Sequence, residues 1–180
     1  MASKPAVLAG RWVTLRPPVM ADFREFAVLM KNSDRFYRGL VSPFKGKVQF
    51  ADYVRRSRNG ESFRFLICRN RDGSVVGNIS LFLITRNALQ SACVGYMVGA
   101  SHARRGYATG ALQLVLHFAF DNLKLHRVEA NIQPHNKPSL ALVKRAGFKR
   151  EGYSPRYLKI CGKWRDHERW ALLVENWHKS

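Results

Sequence analysis

Residues 94–112 read Val-Gly-Tyr-Met-Val-Gly-Ala-Ser-His-Ala-Arg-Arg-Gly-Tyr-Ala-Thr-Gly-Ala-Leu. An apolar run ends, a short basic turn containing glycine follows, and an apolar-periodic segment begins. This order predicts a strand, a turn and a helix, and so draws the chain toward an α/β architecture. It also aims several backbone N–H groups and the positive end of a helix dipole at one spot, which can hold a phosphate without a side-chain cage. Gly106 lets the main chain approach an anion because it has no Cβ. Arg104 and Arg105 add positive charge at the rim. A strand–turn–helix junction with one glycine is common, so the turn by itself narrows the fold more than the function.

The rest of the chain supplies elements on both sides of this junction. Arg11–Arg16 alternates and predicts a strand that stops at Pro17-Pro18. Asp22 is placed to cap a helix reaching about Lys31, and Lys47–Arg58 predicts a second amphipathic helix ending before Asn59-Gly60. Ser62–Arg69 and Val75–Ile84 form a hairpin around Asp72-Gly73, and Gln90–Val98 continues the sheet. A long helix is predicted from Arg105 to Asp121, then a strand from His126 to Gln133. Asn136 caps a further helix with Pro138 in its first turn, and Gly147-Phe148 ends it as a glycine C-cap. Arg150–Ile160 and Lys163–Val174 close the chain as a hairpin turned at Gly162. The expected fold is a mixed α/β (α+β) sandwich on a mostly antiparallel sheet of about seven strands with four helices. No linker or internal repeat divides residues 1–180, so one domain is expected.

Charge narrows the partners. Lys and Arg total 31 against 12 Asp and Glu, a net charge of +19. Such a surface favours anionic neighbours: cofactor phosphates, nucleic acid, or a ribonucleoprotein particle. No apolar run is long enough for a secretory or membrane-spanning segment. Cys68, Cys93 and Cys161 are odd in number and lack metal-ligand spacing, so free thiols in a reducing cytoplasm are expected, with no metal site.

Two segments, VGYMVGASHARRGYATGAL and HRVEANIQPHNKPSLALVKRAGFKREGY, together resemble the Gcn5-related N-acetyltransferase (GNAT) family. Within it the chain is similar to the RimJ/RimL branch of ribosomal-protein-alanine N-acetyltransferases, RimJ more closely. The likeness runs from RWVTLRP to GKWRDHERWALL. It implies acetyl coenzyme A as acetyl donor. The backbone amides of Arg104, Arg105, Gly106, Tyr107, Ala108 and Thr109 would hold its pyrophosphate, although Ala103 and Arg104 stand where the family has Gln or Arg and Gly. A strand splayed around Met97 and Val98 would pair with the pantetheine arm, with an amide near Val98 stabilising the oxyanion. Asn136 and Ser139 match the family's Asn-x-x-Ser, so Asn136 would bond the pantetheine arm and Ser139 would assist the leaving thiolate. Both residue types also serve as helix-terminus hydrogen-bonding groups.

The familiar glutamate bases are missing, for their places hold Cys93, Leu158 and Arg156. An α-amine with a pKa of roughly 7.7–8 is partly neutral at physiological pH, whereas a lysine at about 10.4 needs far more help. An N-terminal amine is therefore the favoured acceptor, with Glu129, Asp166 or His135 able to act through water. His126 and His135 are read mainly as surface or structural groups. Tyr153, Tyr157, Trp164 and Trp170 could shape an acceptor groove or pack across strands. By resemblance the acceptor is a ribosomal-protein N-terminus, with association to the ribosome or its RNA. Two other readings stay open: a small-molecule amine acetyltransferase, or a non-catalytic ribosome- or RNA-binding module.

Overall fold

The computed structural model describes residues 7–42, 46–57 and 62–177. Its strands are β1 (Leu8–Ala9), β2 (Val13–Arg16), β3 (Phe63–Arg69), β4 (Val75–Thr85), β5 (Ser91–Val98), β6 (Arg127–Ile132), β7 (Lys149–Ile160) and β8 (Lys163–Leu173). They form an eight-stranded sheet in the order β1-β2-β3-β4-β5-β6-β8-β7. Neighbours are antiparallel except β5 and β6, which run parallel. The α-helices are α1 (Phe23–Ser33), α2 (Lys47–Arg56), α3 (Tyr107–His117), α4 (Lys137–Arg145) and the short α5 (Val174–Trp177). The mixed, mostly antiparallel architecture is the expected one, with β1 and α5 as short additions. None of the described helices is long and apolar enough to cross a membrane. The predicted end of α2 at Arg58 and the Asn59-Gly60 turn lie outside the described residues.

Side-chain alternation gives the sheet two faces. Leu15, Phe65, Ile79, Leu81, Val94, Val98, Val128, Ala130 and Ile132 pack on one face against Leu112, Val115 and Leu116 of α3 and Leu142 and Val143 of α4. Leu66, Cys68, Val75 and Met97 face the other way, toward Phe26, Leu29 and Met30 of α1 and Phe50, Tyr53 and Val54 of α2. The odd-numbered residues of β5 therefore look toward α1 and α2, and the even-numbered ones toward α3 and α4. The terminal hairpin turns on Cys161 and Gly162, both at positive φ (49° and 78°). That pair of left-handed residues matches the twist of the strands it joins.

Three local expectations are corrected. Asp22 does not cap α1 with its side chain. It sits in the preceding 3-10 turn, where its carboxylate accepts from the Val19 N–H at 2.8 Å and from the Arg16 guanidinium at 2.7 and 2.8 Å. The long helix begins at Tyr107 rather than Arg105, because Arg104 and Gly106 are left-handed (φ 61° and 81°) and cannot join a right-handed helix. Its α-helical winding ends at His117, where a wider π turn over Phe118–Asn122 closes with the Leu123 N–H on the Phe118 carbonyl at 2.9 Å. The fourth helix follows expectation. Asn136 accepts from the Ser139 N–H at 3.3 Å, and the Gly147 and Phe148 N–H groups bond the Lys144 and Val143 carbonyls as in a glycine C-cap.

Candidate functional site

The turn before α3 leaves main-chain donors open to a ligand. The left-handed conformations of Arg104 and Gly106 curl the main chain, and the first bond of the helix runs from the Gly110 N–H to the Gly106 carbonyl at 3.0 Å. No described residue accepts from the backbone N–H groups of Arg104, Arg105, Gly106, Tyr107, Ala108 or Thr109. These donors line the positive end of the helix. A Cβ at Gly106 would have nothing within 4 Å, so the concavity is open.

Beside this turn the sheet opens. β5 and β6 pair at Ser91↔Arg127, Ala92↔Val128 and Cys93↔Glu129. Beyond Cys93, β5 follows β4 while β6 follows β8. Strand alternation then decides which main-chain groups of β5 face the opening. The Gly99 N–H bonds the Val76 carbonyl at 2.8 Å, and the Met97 carbonyl presses on Gly77, where a Cβ would lie 2.2 Å away. Met97 therefore turns its main chain to β4. Tyr96 and Val98 turn theirs to the gap. Val98 is already engaged: the Tyr37 hydroxyl donates to its carbonyl at 2.7 Å and accepts from its N–H at 3.0 Å. Tyr96 is left with its main chain toward the gap and no described partner.

Ser139 stands on the first turn of α4, on the face of the sheet that Tyr96 also points to. The Tyr96 hydroxyl is buried beside Ser139 without a hydrogen-bond partner among the described residues. Burial pushes its pKa up to about 12. It stays protonated at neutral pH and can donate.

On the opposite face, toward α1 and α2, polar side chains project from alternate positions of β6, its extension to Gln133, and β8. Glu129 is committed to Arg127 at 2.7 Å and Arg169 at 3.1 Å. Asn131 reaches the Cys93 sulfur at 3.8 Å with Nδ2, and its buried Oδ1 has no partner among the described residues. Gln133 ties down the loop after α1 through Nε2 to the Gly39 and Leu40 carbonyls at 3.0 and 2.9 Å, and its buried Oε1 has no partner among the described residues. His167 is 2% exposed, with Nδ1 2.9 Å from the Arg165 carbonyl and its ring against Tyr157. Burial lowers its pKa, which keeps the ring neutral at pH 7.

The candidate bases separate clearly. Glu129 is ion-paired. Asp166 faces away and is held below the usual carboxylate range by the Arg156 N–H at 2.7 Å and the Tyr153 hydroxyl at 2.5 Å. His135 is exposed, and His126 pairs with Glu175 at 3.0 Å. Burial, then the charge of Glu129, pushes the Cys93 thiol up, which disfavours the nucleophilic thiolate. Of the aromatics, Tyr157 belongs to this face, Trp170 packs on the α3/α4 core, and Tyr153 and Trp164 are exposed. Sequence reasoning missed Tyr37, Tyr96, Asn131, Gln133 and His167. Polar residues alternating with Val128, Ala130 and Ile132 were the available signal for two of them.

The profile described as "Acetyltransferase (GNAT) domain" matches residues 13–149. A Bacillus subtilis protein named probable N-acetyltransferase YjcK is 33% identical over 175 residues, 93% of this chain and 97% of its own. The [Ribosomal protein uS5]-alanine N-acetyltransferase of Escherichia coli is 32% identical over 120 residues, 67% of this chain and 62% of its own. Among solved structures, Mycobacterium smegmatis RimJ in complex with CoA-disulfide superposes with a TM-score of 0.81 at 34% identity, covering 94% of this chain and 85% of that one. With an open turn before α3, an opened parallel strand pair and these relatives, the chain belongs to the GNAT family: it is an N-acetyltransferase that uses acetyl-CoA.

Proposed function

We propose that this enzyme acetylates the N-terminal α-amine of a ribosomal protein by direct attack on acetyl-CoA in a ternary complex. The observation that carries the reading is the opening between β5 and β6, which has donors for the coenzyme on one face and a polar row without a free carboxylate on the other. The N–H groups of Arg104, Arg105, Gly106, Tyr107, Ala108 and Thr109 would hold the pyrophosphate. Asn136 spends Oδ1 on its cap and has Nδ2 left for the pantetheine arm. Along the splayed edge, Met97 and Val98 set the strand's course, while the N–H of Tyr96 is the group free to polarise the thioester carbonyl. The amine attacks that carbon, the C–N bond forms, and the C–S bond breaks. Ser139, seconded by the Tyr96 hydroxyl, would meet the departing thiolate with a proton.

The acceptor assignment rests on the named relatives and on charge. A polyamine carries several cations and is best received by carboxylates, whereas Glu129 here is consumed by two arginines. A single α-amine needs no such pocket. Turnover read by thiol release should be efficient with free-N-terminal ribosomal-protein peptides and poor with spermidine or aminoglycosides. The reverse preference would replace this reading with a small-molecule enzyme.

A further inference from the structure

The polar row facing α1 and α2 holds buried groups that the fold leaves unpaired. Asn131 Oδ1 and Gln133 Oε1 are acceptors, and Arg165 Nε is a donor, each buried and each without a partner among the described residues. Buried polar atoms in a native fold are nearly always hydrogen-bonded, so several orphans on one surface call for an explanation. They share a face by alternation: Asn131 lies opposite Arg169 in the β6–β8 ladder, which places Gln133 opposite His167 with Arg165 next along β8. Asn131 also touches Cys93 at the point where β5 leaves β6. The row therefore borders the opening from the side away from α3 and α4.

His167 completes it. Its Nδ1 faces the Arg165 carbonyl, an acceptor only, so Nδ1 carries the proton and Nε2 keeps its lone pair. Nε2 has no partner among the described residues. Among the described residues, the charged and titratable groups around the ring are Tyr157 from β7, His135 from the connection after β6, and Arg165 and Asp166 on β8 itself, with Arg169 stacked over Tyr157. No described carboxylate hydrogen-bonds the ring to hold a second proton there.

Resting on the N-terminal acetyltransferase reading above, we propose that Asn131, Gln133, Arg165 and His167 form the seat of the acceptor, that the seat takes a polypeptide N-terminus, and that His167 is its base. A polypeptide terminus offers N–H donors at its amine and at its next amide, and a carbonyl acceptor between them. Asn131 Oδ1 and Gln133 Oε1 receive the donors. Arg165 Nε–H receives the carbonyl. As the C–N bond forms, the nitrogen becomes positive and passes one proton to His167 Nε2. The Nδ1–H bond to Arg165 holds the imidazolium in place, and solvent later removes the proton. The thiolate takes its own proton on the other face, so charge and atoms balance. A polyamine has no carbonyl for Arg165 and would set its cations among guanidinium groups.

The test compares wild type with His167→Gln and Gln133→Leu, using a free-N-terminal ribosomal peptide and spermidine. His167→Gln should lower kcat by about tenfold or more and leave acetyl-CoA affinity unchanged. Wild-type kcat should fall as pH drops through a value below 6.5, and the variant should lose that limb. Gln133→Leu should raise the peptide KM by about tenfold. Retained kcat with an unchanged acid limb in His167→Gln overturns the base, as does a spermidine preference in wild type for the peptide seat. Absence of turnover with any amine in a wild type that binds acetyl-CoA strikes instead at the acetyl-transfer reading. Should His167→Gln fail to fold, nitrogen NMR of the wild-type imidazole decides. A Nδ1–H tautomer that shifts when peptide is added beside CoA supports the seat, and an unresponsive ring overturns it.

Discussion

Gly106 lies at φ 81° with open space among the described residues where a side chain would point, and the neighbouring loop N–H groups have no described acceptor. Gly106→Val should strain the turn by about 1–3 kcal/mol and put a branched Cβ in the path of a pyrophosphate. Calorimetry should show acetyl-CoA affinity reduced by about tenfold or more in a protein that still folds. Unchanged affinity would remove the loop from the site. Ser139→Ala should lower turnover by about tenfold, or about 1.4 kcal/mol of transition-state stabilisation, with coenzyme affinity intact. Intact turnover would pass the proton to the Tyr96 hydroxyl. Asp22 gives a pH test of the fold. Burial would raise its pKa, but the Arg16 guanidinium and the Val19 N–H outweigh that and leave it below its ordinary value. A depressed carboxylate stabilises the fold above the unfolded pKa of about 3.9 and loses that contribution as pH falls through the folded value. Asp22→Asn should therefore cost about 1–2 kcal/mol at pH 7 by denaturant melt, with the difference shrinking in acid. The helix-start positions of Gly106, Asn136 and Ser139 were readable because local rules place such residues there. Tyr96 was not, since its role depends on which neighbours its strand keeps.

At the level of elements, the contact of β4 with β5 shapes the opening. A Cβ on residue 77 would meet the Met97 carbonyl at 2.2 Å, a backbone atom that cannot step aside. Gly77→Ala should destabilise the fold by about 2 kcal/mol or more and weaken acetyl-CoA binding along with it. A wild-type melting temperature and affinity would show that β5 has slack there. On α4, the two roles of Asn136 can be separated. Asn136→Ala loses the cap and should cost about 1 kcal/mol. Asn136→Asp keeps the capping oxygen but not the Nδ2 donor, so it should melt like wild type and bind acetyl-CoA more weakly. Equal affinity in Asn136→Asp would reduce Asn136 to a cap.

Over the whole molecule the net charge of +19 acts at a longer range than any of these contacts. A basic enzyme gains nothing from the charge of a free basic protein, but phosphates of surrounding RNA attract it. Co-sedimentation with ribosomes should be present at low salt and weaken steeply toward physiological salt, while acetylation of a short N-terminal peptide should change far less. A peptide reaction as salt-sensitive as ribosome binding would count against that division. Strand and helix order, the glycine turn before α3 and the capped start of α4 were determined by the sequence itself, because period, glycine and capping residues act within a few positions of the chain. The path of the helix after His117 was not, for there the chain winds as a π turn with Phe118, Ala119 and Phe120 buried in the core. Nor was the opening. β5 reads as one continuous strand, yet it parts from β6 after Cys93. Only the packed structure decides that Tyr37 occupies Val98 while Tyr96 stays free, and that Gln133 and His167, 34 positions apart by number, meet on one face. Local rules name the groups that a chain can offer; long-range strand pairing determines which of them remain unpaired.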